Sequence, residues 1–139
     1  MKPVIAFALL LAASAVCAGA QSPGGIKLTD VAGVWEYRAT VHPADTLVIV
    51  SVLVATADRN GWTIKHGNDP SLPLRVTAVG GDSIVIEAGP YPSTLKPGQT
   101  VLRNRTIMHY HGDRMAGAFE ARYASGDVVS GKADATRRK

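Results

Sequence analysis

From Ile26 onward, apolar and polar positions alternate with a period of two, in short β-branched runs separated by turn signals, and no stretch of about twelve residues keeps the 3.6-residue period of a helix. The pattern predicts strands over 34–41, 46–56, 62–66, 74–79, 83–88, 100–110, 115–124 and 128–136. In the first, Trp35, Tyr37, Ala39 and Val41 share one face, and Glu36, Arg38 and Thr40 share the other. The run 46–56 is different. Val48, Val50, Val52 and Val54 oppose Leu47, Ile49, Leu53 and Ala55, so both faces are apolar and both need cover. The expected cover for the valine row is the segment 26–31, the loop 89–98 or a second subunit, and a homodimer paired through this wall is the preferred choice.

The connections support a meander. Asn60-Gly61 suits a tight hairpin turn, Gly80-Gly81-Asp82 makes a second, and His111-Gly112-Asp113 and Ser125-Gly126-Asp127 punctuate the last three strands. Segment 89–98 carries Pro90, Pro92 and Pro97, which bars it from a central ladder. The expectation is an all-β fold: an antiparallel up-and-down barrel of about eight strands, with a β-sandwich as the alternative. Closure removes exposed edges. Glu36/Arg38, Glu120/Arg122 and Lys132/Asp134 place opposite charges two residues apart on the face expected to form the outer wall.

The first residues follow another logic. Lys2, an apolar run over 4–16 and the small-residue site Ala18-Gly19-Ala20 have the arrangement of a secretory signal peptide cut after Ala20. The expected organisation is a signal peptide over 1–20, a flexible linker over 21–25 and a single barrel domain over 26–139. Removing the leader takes the formal charge from +4 to +3 and deletes Cys17, the only cysteine, which leaves no disulfide or thiol chemistry. The expected location is secreted or periplasmic. The alternative is a lipoprotein anchored through Cys17, although Ser14 and Val16 stand where a lipidation signal has a large aliphatic and a small residue. After Gln21 no run of about eighteen apolar residues offers a transmembrane helix.

Gly33-Val34-Trp35 at the start of the first strand, followed by a strand meander and Arg137 after the last, resembles the Gly-x-Trp signature of the calycins, the superfamily of lipocalins and avidins. The resemblance implies that Gly33, Trp35 and Arg137 are structural, with Trp35 closing one end of a barrel and Arg137 packed over its ring. Neither the lipocalins' Thr-Asp-Tyr motif nor the avidins' biotin-binding set has a match here, so the resemblance implies no ligand. The stretch from Leu74-Arg75 through Gly81-Asp82 to Glu87-Ala88-Gly89-Pro90 is similar to small uncharacterised exported bacterial proteins.

Chemistry-bearing residues are sparse. Tyr37, Phe119 and Tyr123 are candidate ligand-binding residues for a barrel interior, and Glu87, entering loop 89–98, is a candidate at a mouth, where a carboxylate orients a ligand or pairs with Arg75 or Arg103. A pocket of about 300 Å³ or more would favour ligand binding, whereas a filled interior would favour an interaction protein. His109 and His111 are weak metal candidates that need a third ligand such as His42 or His66; solvated histidines at a strand end are the more ordinary reading. Ser93 lacks a strand-to-helix elbow. Arg103 and Arg105, with the terminal Arg137-Arg138-Lys139, suggest a basic surface, but no aromatic residues interleave with them, which argues against nucleic acid. No cofactor motif is present. The sequence favours non-enzymatic binding of a small apolar or amphipathic molecule, or of a protein partner. An enzyme of unassigned class and a structural envelope protein are the alternatives.

Overall fold

A computed structural model describes residues 25–43 and 48–139. The predicted leader with Cys17, the linker up to residue 24 and the expected start of the second strand at Thr46 and Leu47 lie outside them.

Period-two alternation produces one antiparallel sheet. Its strands are β1 (Gly33–Val41), β2 (Val48–Ala55), β3 (Thr63–His66), β4 (Leu72–Pro73), β5 (Arg75–Gly80), β6 (Ser83–Ala88), β7 (Tyr91–Pro92), β8 (Thr100–His111), β9 (Arg114–Tyr123) and β10 (Val128–Arg137), preceded by a single helical turn, α1 (Leu28–Val31). Hydrogen-bonded neighbours follow the path β4-β3-β2-β1-β10-β9-β8-β6-β5, with β7 attached to β8. The ends of this path belong to one stretch of chain. β4 and β5 are separated only by Leu74, whose N–H donates to the Trp62 carbonyl at 2.9 Å. The segment therefore pairs with β3 at its start and with β6 further on, and the sheet comes round upon itself as a nearly closed barrel. Along the path, strands pair with sequence neighbours except where β8 passes over the two-residue β7 to pair with β6 and where β1 closes on β10, which is the course of an up-and-down meander.

Two strands and the helical turn exceed the expectation of about eight strands. β4 and β7 are two-residue pieces containing Pro73 and Pro92. Pairs this short leave no period to read, and proline is confined to such edge positions because it has no N–H to donate.

The inward face is the core: Trp35, Tyr37 and Ala39 from β1, Leu53 and Ala55 from β2, Ile84, Ile86 and Ala88 from β6, and Met115, Phe119, Ala121 and Tyr123 from β9 are all buried. The buried side chains of β10 are small, Ala133 and Ala135, and Ala135 stands opposite the Tyr37 ring. Gly117 on β9 is there for close approach, since a Cβ would fall inside the van der Waals surface of the Ile107 carbonyl on β8. Two of the anticipated charge pairs form along their own strands on the outer wall, Arg38 with Glu36 at 3.0 Å and Arg122 with Glu120 at 3.1 Å.

One end of the barrel is shut. α1 lies across it, the Trp35 indole N–H donates to the Val31 carbonyl at 2.9 Å, and the Arg137 guanidinium sits 4.4 Å from the centre of the Trp35 ring. Arg137 also donates to the carbonyls of Ala32 at 2.9 Å and Asp30 at 2.8 Å, tying β10 to the chain that enters β1. Gly33 has φ of 142°, a region open to glycine, and a side chain there would press on the same guanidinium at 3.0 Å.

Burial also settles the faces of β2. Leu53, Ala55 and Ser51 point inward, while Val48 and Val50 are 42% and 45% exposed. The two internal segments expected over the valine row sit elsewhere: the 26–31 segment docks at the shut end, with the Ile26 N–H on the Gly81 carbonyl, and loop 89–98 covers the opposite end. Each follows its own anchoring contacts there.

Candidate functional site

At the end away from Trp35, the strands enclose a cavity of about 60 Å³. Its wall comes from nearly the whole circuit. Tyr37 and Ala39 of β1, Ile49 of β2, Ile64 and His66 of β3, Ile86 and Ala88 of β6, Asn104 and Thr106 of β8, and Phe119, Ala121 and Tyr123 of β9 all line it, with Thr94 and Leu95 of the loop over the top. Three of the four residues proposed from sequence for ligand binding, Tyr37, Phe119 and Tyr123, are thus brought together by the inward parity of β1 and β9. The fourth is elsewhere. Glu87 is not part of the lining; it pairs with Arg105 at 3.6 Å and stands opposite Arg75 in the ladder. Its strand parity sets it against Ile86 and Ala88, which point inward.

The loop is fastened over the cavity by polar contacts at its middle. Ser93 Oγ and the Tyr123 hydroxyl share a buried hydrogen bond of 2.8 Å, and the Lys96 N–H donates to Ser93 Oγ at 2.9 Å. Lys96 reaches Asp127 at 3.0 Å and lies 5.1 Å above the Tyr123 ring, while Thr94 donates to the Asp69 carboxylate at 3.1 Å. The exposed ion pair adds little by itself. The buried Ser93–Tyr123 bond fixes the cover to the barrel wall.

Inside, the polar groups are uncharged. Burial pushes the Tyr37 hydroxyl up to about 12, with a hydrogen bond from Thr106 acting in the opposite sense, and it raises Tyr91 as well. Burial lowers His66 despite the opposing pull of Asp69, which favours the neutral imidazole. Ser51, opposite His66 in the β2–β3 ladder, hydrogen-bonds its Nδ1 and orients the ring, which stands 6.3 Å from Tyr91. Among the described residues no Asp, Glu, Lys or Arg lines the cavity. Asn104, Tyr91 and Ser51 escaped sequence reasoning. Asn104 and Ser51 do sit at inward parity among apolar residues, a signal that gains meaning only once the barrel is closed.

The histidines tested for metal binding do not converge. His109 Nδ1 lies 3.0 Å from Ser83 Oγ and 3.2 Å from the Asp82 carboxylate at the edge of the β5–β6 turn, and both His109 and His111 are exposed. Among the described residues no group of three His, Cys, Asp or Glu is placed to hold a metal ion. The arginines suggested as a basic surface are partly matched by anions: Arg105 faces Glu120 in the ladder and pairs with Glu87, and Arg137 is committed to Trp35, the backbone carbonyls and Asp113. No helix among the described residues is long and apolar enough to cross a membrane.

Comparison with protein families, curated proteins and solved structures finds no match to this chain.

Proposed function

We propose that this chain is an exported, calycin-like β-barrel that binds a small apolar or amphipathic molecule without transforming it, in the cavity beneath loop 89–98. The observation that carries this reading is the cavity itself, walled by apolar and aromatic side chains from most of the strands and covered by a loop rather than by a strand. Its size limits the occupant. At about 60 Å³ it falls well short of an open pocket of about 300 Å³, and on a scale where one water needs about 10–15 Å³ it takes roughly four to six waters. A single small ring, or one end of a longer molecule entering beneath the loop, is the scale of ligand it suits. The test is a titration of the isotope-labelled chain with toluene, followed by NMR. Saturable shifts at Phe119, Tyr123 and Tyr37, with Tyr110 at the shut end unmoved, are expected. Absence of saturable shifts, or equal shifts at both ends, overturns the reading.

A second reading rests on the valine row. Val48 and Val50 are exposed on the outer wall, the half-buried Val52 and Val54 continue their row, and Val34 of β1 stands opposite Val54; a second copy of the chain seated against this row would remove it from water. Val50→Lys is expected to lower the mass measured by light scattering at micromolar concentration. A chain that is monomeric before and after the substitution removes the dimer.

A further inference from the structure

The row that crosses the cavity wall at Asn104 has an unusual composition. Asn104 lies opposite Ala88 on β6 and opposite Ala121 on β9, so its nearest cross-strand neighbours are two methyl groups that bear no polar atom. Its Nδ2 donates to the Tyr91 hydroxyl at 3.0 Å, while its Oδ1 is buried and has no hydrogen-bond partner among the described residues. A buried carbonyl oxygen left unpaired is costly, and most such atoms in folded proteins are satisfied. Turning the carboxamide over does not resolve it. The oxygen would then accept from the Tyr91 hydroxyl, and the amide nitrogen would take its place as the unpaired atom. In either orientation half of this amide remains for a guest, and a hydroxyl, which donates and accepts, satisfies both.

We propose that the molecule bound under loop 89–98 is uncharged and carries a hydroxyl that hydrogen-bonds the Asn104 carboxamide, as a small phenol or alcohol does. This rests on the binding reading above. The rest of the lining agrees with it. Ile49, Ile64 and Phe119 receive an apolar body, and with no Asp, Glu, Lys or Arg in the wall among the described residues an ionised guest would lose its hydration without gaining a counter-charge there. The tyrosine hydroxyls of Tyr37 and Tyr91 remain protonated at neutral pH, so they present dipoles rather than charge.

Three probes of one shape separate these claims: phenol, toluene and benzoate, titrated at pH 7 into the full chain and into Asn104→Leu. In the unaltered chain phenol is expected to bind roughly threefold to tenfold tighter than toluene, the range of one net hydrogen bond. Benzoate is expected to bind at least about tenfold more weakly than phenol. Asn104→Leu should abolish the preference for phenol while toluene still binds. Because that variant replaces a half-buried residue of the barrel wall, a second readout uses the unaltered chain, where the Asn104 side-chain NH₂ resonances should shift with phenol and stay in place with toluene. Equal binding of phenol and toluene, or unmoved Asn104 NH₂ resonances, overturns the hydroxyl assignment and leaves the cavity reading standing. Benzoate binding as tightly as phenol overturns the requirement for an uncharged guest. If neither phenol nor toluene binds, the cavity reading fails and this inference fails with it.

Discussion

Replacing Trp35 with alanine tests the shut end of the barrel. The side chain is fully buried, its indole N–H is bonded to the Val31 carbonyl, the Tyr110 ring meets it edge-on at 6.5 Å and Arg137 covers it. A buried aromatic removes about 200 Å² from water, which at about 25 cal/mol per Å² is roughly 5 kcal/mol for the whole side chain. Alanine retains a small part of this, and a compact denatured state lowers it further, whereas the cavity left behind adds to the loss. The expected net destabilisation is about 3–5 kcal/mol, or a fall in melting temperature of roughly 12–20 °C. Urea unfolding followed by far-ultraviolet circular dichroism measures it without relying on the tryptophan removed. An Arg137→Met variant and the double variant complete the cycle, with an expected coupling of about 0.5–2 kcal/mol for the cation–π contact. A loss below about 1 kcal/mol for Trp35→Ala, with no coupling to Arg137, would refute the view that this pair closes the barrel.

Acid should destabilise the protein through His66. Burial holds its folded pKa below the ordinary value of 6.5, so the unfolded chain takes up the proton first. The contribution is therefore intact above about pH 6.5 and is lost as pH falls through that value and past the folded pKa. Relative to His66→Gln, the unaltered chain is expected to show the steeper decline between about pH 7 and 5 in urea midpoints, and parallel slopes would contradict the assignment. Gly117→Ala should cost at least about 1–3 kcal/mol by thermal unfolding, because its Cβ meets the Ile107 backbone rather than a yielding side-chain tip; an unchanged melting temperature would count against so close an approach of β8 and β9. Chain recovered from the envelope or medium of an exporting host is expected to have the intact mass of residues 21–139, and a retained leader or an acylated Cys17 would show that export follows another route.

Local chemistry made much of this fold legible in one dimension. Period two requires no knowledge of neighbours, since alternate side chains of any strand point to opposite faces, and β6 spans the six residues over 83–88 that its alternation predicted. The parity of Trp35, Tyr37, Phe119 and Tyr123 follows from the same rule, and the turn glycines from the positive φ that their turns require. The contact of Arg137 with Trp35, which the resemblance implied, is made because β1 and β10 become neighbours when the meander closes. Other features depend on which strands meet, and no local signal encodes that. The stretch 72–80 joins both ends of the sheet through a two-residue pair at β4, too short to carry a period. Glu87 and Phe119 look equally available in the sequence, yet the pleat turns one to the outer wall and the other to the cavity. Asn104 is a polar residue in a strand until β6 and β9 bring alanines to either side of it. The sequence alone determined the eight longer strands, the turns between them and, outside β2, most of their inward faces, because each depends on residues a few positions apart. Only the tertiary structure decided which polar groups share the interior and how little space remains among them, because these depend on register and closure across the whole barrel.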